Sequence, residues 1–460
     1  MQFKSDKWLE ALLDKESFQS FNHVEQKQNL DVASGGEVSI GFGKILGKTV
    51  AIYAQNVEIN RGYIGQDGGE KILALMEKAA QLKIPVIALL ASPGIDMEND
   101  LDSGISYTKI ISQNIALSGV IPQFAVIMGP TLGAPAYSSV LMDLIFFSQY
   151  RSYLMVTSPA VVKQAIGETV SLSDLGGPGI HGQLTGIADF IDKTTALQLE
   201  RVKALVDFFP SHGKALPEKK PPRLPLKSLP EIPTDLMKPF DMMDLIEGIV
   251  DESKIYPYKS DFGLAMICAF TYLDGYPLGL VANQGKRLSG AIDSDAAQKS
   301  SQFIRLCDTY NIPILTLIDV PGFMPGKREE QRGLLKHGAR FCSAMQTQVP
   351  RLSVIVRKAY GAAAFLMMQT RAQGGDLVLA LQESKIGAMG QKASAGVRAA
   401  EHNTSIQTSE ENGLLQAYQK GLIDEIIVRE QIRPRLSFYL SKLVNEKQKP
   451  RRARKHFIEP

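Results

Sequence analysis

The chain repeats itself at one fixed displacement, and no other feature constrains its fold as tightly. The run Pro85 to Leu90 (PVIALL) returns as Pro313 to Ile318 (PILTLI), 228 positions later. The same step carries Gly47 onto Gly275, Gly62 onto Gly290, Pro93-Gly94 onto Pro321-Gly322 and Val126-Ile127 onto Val354-Ile355. It also carries Ile121-Pro122 onto Val349-Pro350 and Gly133-Ala134 onto Gly361-Ala362. Apolar residues match by chance, but glycines and prolines in unbroken register do not. Two homologous domains follow. The length of 460 residues agrees, since one hydrophobic core rarely serves so long a chain.

Each half alternates strand and helix. Thr49 to Ala54, Pro85 to Ala91 and Phe124 to Met128 are apolar runs of strand length, while Ile72 to Leu82 and Ala136 to Ile145 have helical spacing. The second half repeats the pattern with strands at Leu278 to Ala282, Pro313 to Asp319 and Leu352 to Val356. Its helices fall at Ser300 to Cys307 and Ala362 to Thr370. This predicts an α/β fold built from right-handed ββα turns. Between the halves, residues 210–239 contain eight prolines among lysines, which reads as an extended, solvated connector. The expected domains are 1–209 and 240–460.

Bulk properties exclude several classes of function. With 51 basic and 48 acidic residues there is no general drive toward nucleic acid or a membrane. Cys268, Cys307 and Cys342 form no CxxC pair and read as buried thiols in a reducing cytoplasm. The amino terminus places Trp8, Leu9, Leu12 and Leu13 at helical spacing rather than in a signal core. Gly41 to Thr49 imitates a phosphate loop, but Phe42 stands where that motif needs glycine and a strand follows, so a β-hairpin turn is expected. The six histidines are scattered, and no metal or nucleophile constellation appears.

What remains is a matched pair of turns. Gly133-Ala134-Pro135 and Gly361-Ala362-Ala363-Ala364 each follow an apolar strand and precede a helix. Small residues let a ligand approach the main chain, and first-turn N–H groups have no intrahelical partner. Those donors suit an oxyanion, although small residues also serve simply to pass a helix close to a strand.

At these residues the chain resembles the β subunit of propionyl-CoA carboxylase and its bacterial acyl-CoA carboxylase relatives, in the crotonase-like superfamily. The resemblance is carried by Ile312 to Gly326 (IPILTLIDVPGFMPG), Gly333 to Arg340 (GLLKHGAR) and Arg357 to Ala363 (RKAYGAA). Ser118 to Pro122, Met128 to Pro130, Leu175 to His181 and the basic Arg451 to His456 add to it. It implies two tandem crotonase-like domains and transfer of a carboxyl group from carboxybiotin, held on a separate carrier protein, to the α-carbon of an acyl-CoA. In that scheme carboxybiotin releases CO2 in the site and the biotin enolate removes the substrate's α-proton. The protein supplies two oxyanion holes and no metal.

Carried over residue by residue, the resemblance puts Gly133 and Ala134 in the hole for the thioester enolate and Ala362 and Ala363 in the hole for the biotin ureido oxygen. Arg61, Gly62, Tyr63, Gly94 and Phe365 would meet the acyl-CoA, and Pro321, Gly322, Phe323, Tyr360 and Gly361 the biotin. It also implies a biotin carboxylase and carrier partner and a homo-oligomer, commonly a hexamer, in which one subunit's first half meets another's second half. The chain departs from the family pattern at Ala91 to Asp96 (ASPGID), Asn60 to Tyr63 (NRGY) and Tyr360 to Phe365 (YGAAAF), and is shorter between Gly390 and Gly421. Asp96 replaces an arginine, and Phe365 falls where the family selects its acyl chain. A malonyl-type decarboxylase subunit and a weakened scaffold homologue are the alternatives. His181 and His337 are expected to shape loops, Asp319 to cap a turn, and Lys327-Arg328 to be solvated.

Overall fold

Each half of the chain contains a two-residue hairpin near one edge of its sheet. Strand Val38–Ile45 pairs antiparallel with Lys48–Gln55 through Leu46 and Gly47, whose φ values of 50° and 81° are the left-handed pair that such a turn demands. The Asp14 carboxylate fixes it by accepting the amides of Leu46 and Gly47 at 3.0 and 2.9 Å. In the second half Met266–Leu273 pairs with Tyr276–Asn283 through Asp274 (φ 51°) and Gly275 (φ 78°), and Asp251 accepts both amides at 2.8 Å. The expected hairpin at Gly41 to Thr49 is therefore present.

The computed structural model describes residues 5–21, 36–95, 100–252, 255–388 and 413–446. Asp96, Arg451 to His456 and most of the stretch between Gly390 and Gly421 lie outside the described residues. In the first half the strands are β1 (Gln19–Ser20), β2 (Val38–Ile45), β3 (Lys48–Gln55), β4 (Val86–Ser92), β5 (Gln123–Leu132), β6 (Leu144–Ser148), β7 (Tyr153–Met155) and β8 (Phe190–Asp192). They are ordered β1-β2-β3-β4-β5-β6-β8, with β7 beside β5. The second half has β9 (Tyr256–Tyr258), β10 (Met266–Leu273), β11 (Tyr276–Asn283), β12 (Ile314–Val320), β13 (Arg351–Tyr360), β14 (Leu377–Leu381), β15 (Lys385–Gly387) and β16 (Glu425–Ile427). Its order is the same: β9-β10-β11-β12-β13-β14-β16, with β15 beside β13.

From β3 onward the strands of each sheet pair in parallel. Every residue of β4 and of β12 is buried, as a strand covered on both faces must be. Helices Gln66–Leu82 and Ser294–Thr309 make the crossovers from β3 to β4 and from β11 to β12. The first packs Ile72, Leu75, Met76 and Ala79 into its core and the second packs Phe303, Ile304 and Cys307.

The described residues divide into two compact units, one up to Leu216 and the other from Pro217. The proline-rich segment has no helix or strand, as expected, but it is not free. Lys220 donates its amide to the Gly275 carbonyl at 2.8 Å, and Arg433 donates to the Arg223 carbonyl at 2.7 Å. Proline cannot join a ladder through its nitrogen, yet carbonyls along the segment still accept.

Two further expectations change. The helix predicted over Ala136 to Ile145 spans only Ala134–Val140, because Leu144–Ser148 is the fully buried strand β6. A short run buried on both faces carries no periodicity to tell strand from helix. Cys268 and Cys307 are buried, and burial pushes the Cys268 thiol up to about 11, but Cys342 is exposed on helix Leu334–Ala344. Among the described residues no helix is long and apolar enough to cross a membrane.

Candidate active site

In each half, the candidate residues singled out in the sequence lie where the parallel strands end, the usual place for a ligand in such a sheet. In the first half β5 slips against β4: Leu90 pairs with Ile127, but Ser92 pairs with Thr131. The extra residues bulge just before the turn and re-aim the chain. Gly133 then takes φ 63°, and helix Ala134–Val140 starts at once. The second half does the same. Ile318 pairs with Ile355 and Val320 with Ala359, Gly361 takes φ 66°, and helix Gly361–Met368 begins.

The amides at the two turns are not equivalent. Gly133 donates its N–H to the Met155 carbonyl at 3.1 Å, Pro135 has none, and Ala136 donates to the Gly133 carbonyl at 3.0 Å. Of the first-turn amides, Ala134 alone is left without a partner among the described residues. In the second half Gly361, Ala362 and Ala363 open their helix and so lack intrahelical acceptors. Ala362 is exposed, while Ala363 is buried.

One turn into each helix stands an exposed aromatic ring. Phe365 lies three residues after Ala362, on the same helical face, and its counterpart in the repeat is Tyr137. The sequence motifs point to Phe365 but not to Tyr137. The 228-residue displacement itself would have pointed to it.

Loops on the neighbouring strand complete each cluster. The short turn Asn60–Gly62 docks on β4, where Gly62 is buried with φ 83°, and a Cβ there would stand 2.6 Å from the Ala91 carbonyl oxygen. Gly62 thus shapes the loop, beside exposed Arg61 and half-buried Tyr63. Ile64 bridges Ile95, which brings this turn beside Gly94. Gly94 is buried with φ 127°, and the Ser92 hydroxyl accepts its amide at 3.3 Å. Ser92 belongs to a buried neutral network. The Tyr107 hydroxyl bonds both Ser92 and Gln55, and Gln55 accepts the Ala91 amide at 2.9 Å. Burial raises the Tyr107 phenol well above its usual range, so this network holds no charge.

In the second half Pro321 is exposed, Gly322 and Phe323 are half-buried, and Tyr360 is buried. Phe323 bridges Ile292, and Ile292 donates its amide to the Gly322 carbonyl at 3.1 Å. Here Asn283 replaces Gln55 and accepts the Asp319 amide at 3.1 Å. Asp319 is not the turn cap that was expected. It lies fully buried between Arg357, at 2.9 Å, and Lys358, at 3.5 Å. The sequence reading assigned neither cation a role, because buried pairing leaves no local signal.

His181 does shape a loop. Its Nε2 donates to the Leu154 carbonyl at 2.6 Å, and its Nδ1 accepts from the Thr185 hydroxyl at 3.0 Å. A carbonyl can only accept, which fixes this tautomer. Burial lowers its pKa, and the bond to Leu154 opposes that in part. His337 is half-buried, and its Nδ1 has no partner.

Two parallel-rich sheets whose strands end in paired glycine turns ahead of short helices define a crotonase-like carboxyltransferase fold. The chain belongs to the carboxyl transferase family, whose domain model matches residues 7–457. It is 35% identical to the putative propionyl-CoA carboxylase beta chain of Bacillus subtilis (strain 168), over 92% of this chain and 87% of that one. It is 33% identical to the methylmalonyl-CoA decarboxylase subunit alpha of Veillonella parvula, over 95% and 87% of the two chains. The hexameric transcarboxylase 12S, in a crystal structure with methylmalonyl-coenzyme A and methylmalonic acid bound, superposes with a TM-score of 0.88 at 30% identity. That superposition covers 98% of this chain and 91% of the other.

Proposed function

We propose that this chain is the carboxyltransferase subunit of a biotin-dependent acyl-CoA carboxylase. The observation that carries the reading is the pair of equivalent turns, each ending a buried strand at a left-handed glycine and opening a helix at Ala134 or Gly361. Family membership and the propionyl-CoA carboxylase relatives support the same reaction.

The first half would take the acyl-CoA. The Ala134 amide donates to the thioester oxygen, and that bond strengthens as negative charge develops there when the α-proton leaves. Arg61 and Tyr63 would border the coenzyme and Phe365 the acyl chain. The second half fits biotin: an accessible Ala362 amide and a buried excess of positive charge at Arg357 and Lys358 suit a cyclic urea carrying a carboxylate. Carboxybiotin, when bound, supplies the carboxyl group and the base. Gly361 and Ala362 would orient its ureido oxygen, with Pro321, Gly322 and Phe323 beside it. Copies of the chain would assemble as an oligomer, a hexamer by analogy with transcarboxylase 12S, and receive biotin from a separate carrier charged by a biotin carboxylase.

The decisive experiment supplies the purified chain with carboxybiotin from a partner and a series of acyl-CoAs from short to long. Carboxylated product is expected only when carboxybiotin is present. Release of CO2 from a malonyl-type thioester, with no forward product, would favour the decarboxylase function named for the Veillonella relative. Neither product would leave the scaffold reading.

A further inference from the structure

The two halves differ sharply at one place that the repeat makes directly comparable. The bulge before the first turn contains Gly129-Pro130, and 228 positions later the bulge before the second contains Arg357-Lys358. Facing them from the adjacent strand are Ala91 in the first half and Asp319 in the second. An uncharged trio thus corresponds to a charged one, although the strands, bulge, left-handed glycine and helix are the same.

The charges do not cancel. Arg357 takes Asp319 Oδ2 with Nε at 3.1 Å and Nη2 at 2.9 Å, gives Nη1 to the Lys238 carbonyl at 3.0 Å, and lies over the Phe240 ring. That pair is complete. Lys358 reaches only Oδ1, at 3.5 Å, and donates to the Ser289 carbonyl at 3.2 Å. Side-chain exposure is 0% for Asp319, 3% for Arg357 and 8% for Lys358, so two basic side chains share one buried carboxylate; burial lowers the Lys358 pKa, and Asp319 opposes that in part. Burying a charge in excess of its counter-ion costs stability, and an apolar residue of similar size serves the fold better. The first half shows that the fold can do without the charge, since Pro130 occupies the matching position.

We propose that Lys358 is an electrostatic residue of the carboxyl-transfer site, whose buried charge favours a carboxylate-bearing ligand at the second-half turn. It touches no reacting atom. Lys358 lies three residues before Gly361, hence within about 10 Å of the turn along an extended strand. At that distance and an effective dielectric near 20, one charge is worth about tenfold in the rate of a step that gathers negative charge at the turn. The ligand class is a cyclic urea bearing a carboxylate, and the inference rests on the function proposed above.

Three variants separate the field from the contact. Lys358→Met removes the charge and the donor, Lys358→Gln removes the charge but keeps a donor for Ser289, and Lys358→Arg keeps both. Carboxybiotin-dependent carboxylation is measured for each beside the parent, with thermal midpoint and oligomer size. Turnover should fall about tenfold in both the methionine and glutamine variants, with KM for the acyl-CoA unchanged because Lys358 is given no contact with that substrate. The arginine variant should keep most of the turnover, and the methionine variant should melt no lower than the parent. Parental turnover in the glutamine variant would overturn the inference, as would a methionine variant that loses stability together with activity. An inactive parent would overturn the functional reading itself, and this inference with it.

Discussion

Gly133 and Gly361 stand 228 positions apart and hold the same left-handed backbone, with φ of 63° and 66°, each where a ten-residue strand gives way to a helix. A Cβ at either would meet nothing closer than a carbonyl oxygen at 3.8 Å (Val156) or 3.4 Å (Ala388). Glycine is required there by φ rather than by space. The turn folds the Gly133 carbonyl back to accept the amides of Ala136 and Tyr137, while the Ala134 N–H finds no acceptor among the described residues.

That geometry makes Ala134 the test of backbone catalysis. Ala134→Pro deletes the donor at a first helical position, where proline is tolerated. Turnover should fall roughly 10²- to 10³-fold. Ala134→Ser keeps the N–H and should cost far less. Both must match the parent in thermal midpoint and oligomer size. Equal turnover in the proline variant and the parent would remove Ala134 from the site.

Gly62 and Gly47 share left-handed backbone but not surroundings. At Gly47 a Cβ would meet nothing within 4 Å, whereas at Gly62 it would press on the Ala91 carbonyl. Gly47→Ala should cost about 1 kcal/mol from the conformation alone. Gly62→Ala should cost more, and should also raise KM for the acyl-CoA by shifting Arg61 and Tyr63. Chemical denaturation of both variants decides it, and equal losses would contradict the close packing on β4.

His181 makes stability depend on pH. Its folded pKa lies below the ordinary 6.5, so between those values the unfolded chain binds the extra proton. The stabilisation is fully present above 6.5 and is lost as pH falls toward the depressed folded value. The parent's thermal midpoint should therefore drop more steeply than that of His181→Gln between about pH 7.5 and about 5.5. Parallel slopes would show that another group titrates.

Phe365 is 38% exposed on the helical face that presents Ala362. Removing its ring by Phe365→Ala should move the preference toward longer acyl-CoAs, read as the ratio of kcat/KM between a long and a short substrate. An unchanged ratio would leave Phe365 outside the acyl pocket.

The sequence by itself determined the duplication, because glycine and proline positions report backbone geometry directly. Gly47, Gly62, Gly94 and Gly133 mark left-handed positions that recur at Gly275, Gly290, Gly322 and Gly361, and the strands between them begin and end in the same register. It determined the first hairpin and both helix-opening turns for the same reason. It did not separate β6 from the preceding helix, since Leu144 to Phe147 is apolar throughout. Only the tertiary structure decided which turn amides are spent: the acceptor for Gly133 is Met155 on β7, a strand pairing distant in sequence. Only it assembled Asp319 with Arg357 and Lys358, across 38 and 39 residues of chain. Local sequence encodes where the backbone turns; which polar groups meet depends on the register between strands, and that is set when the sheet packs.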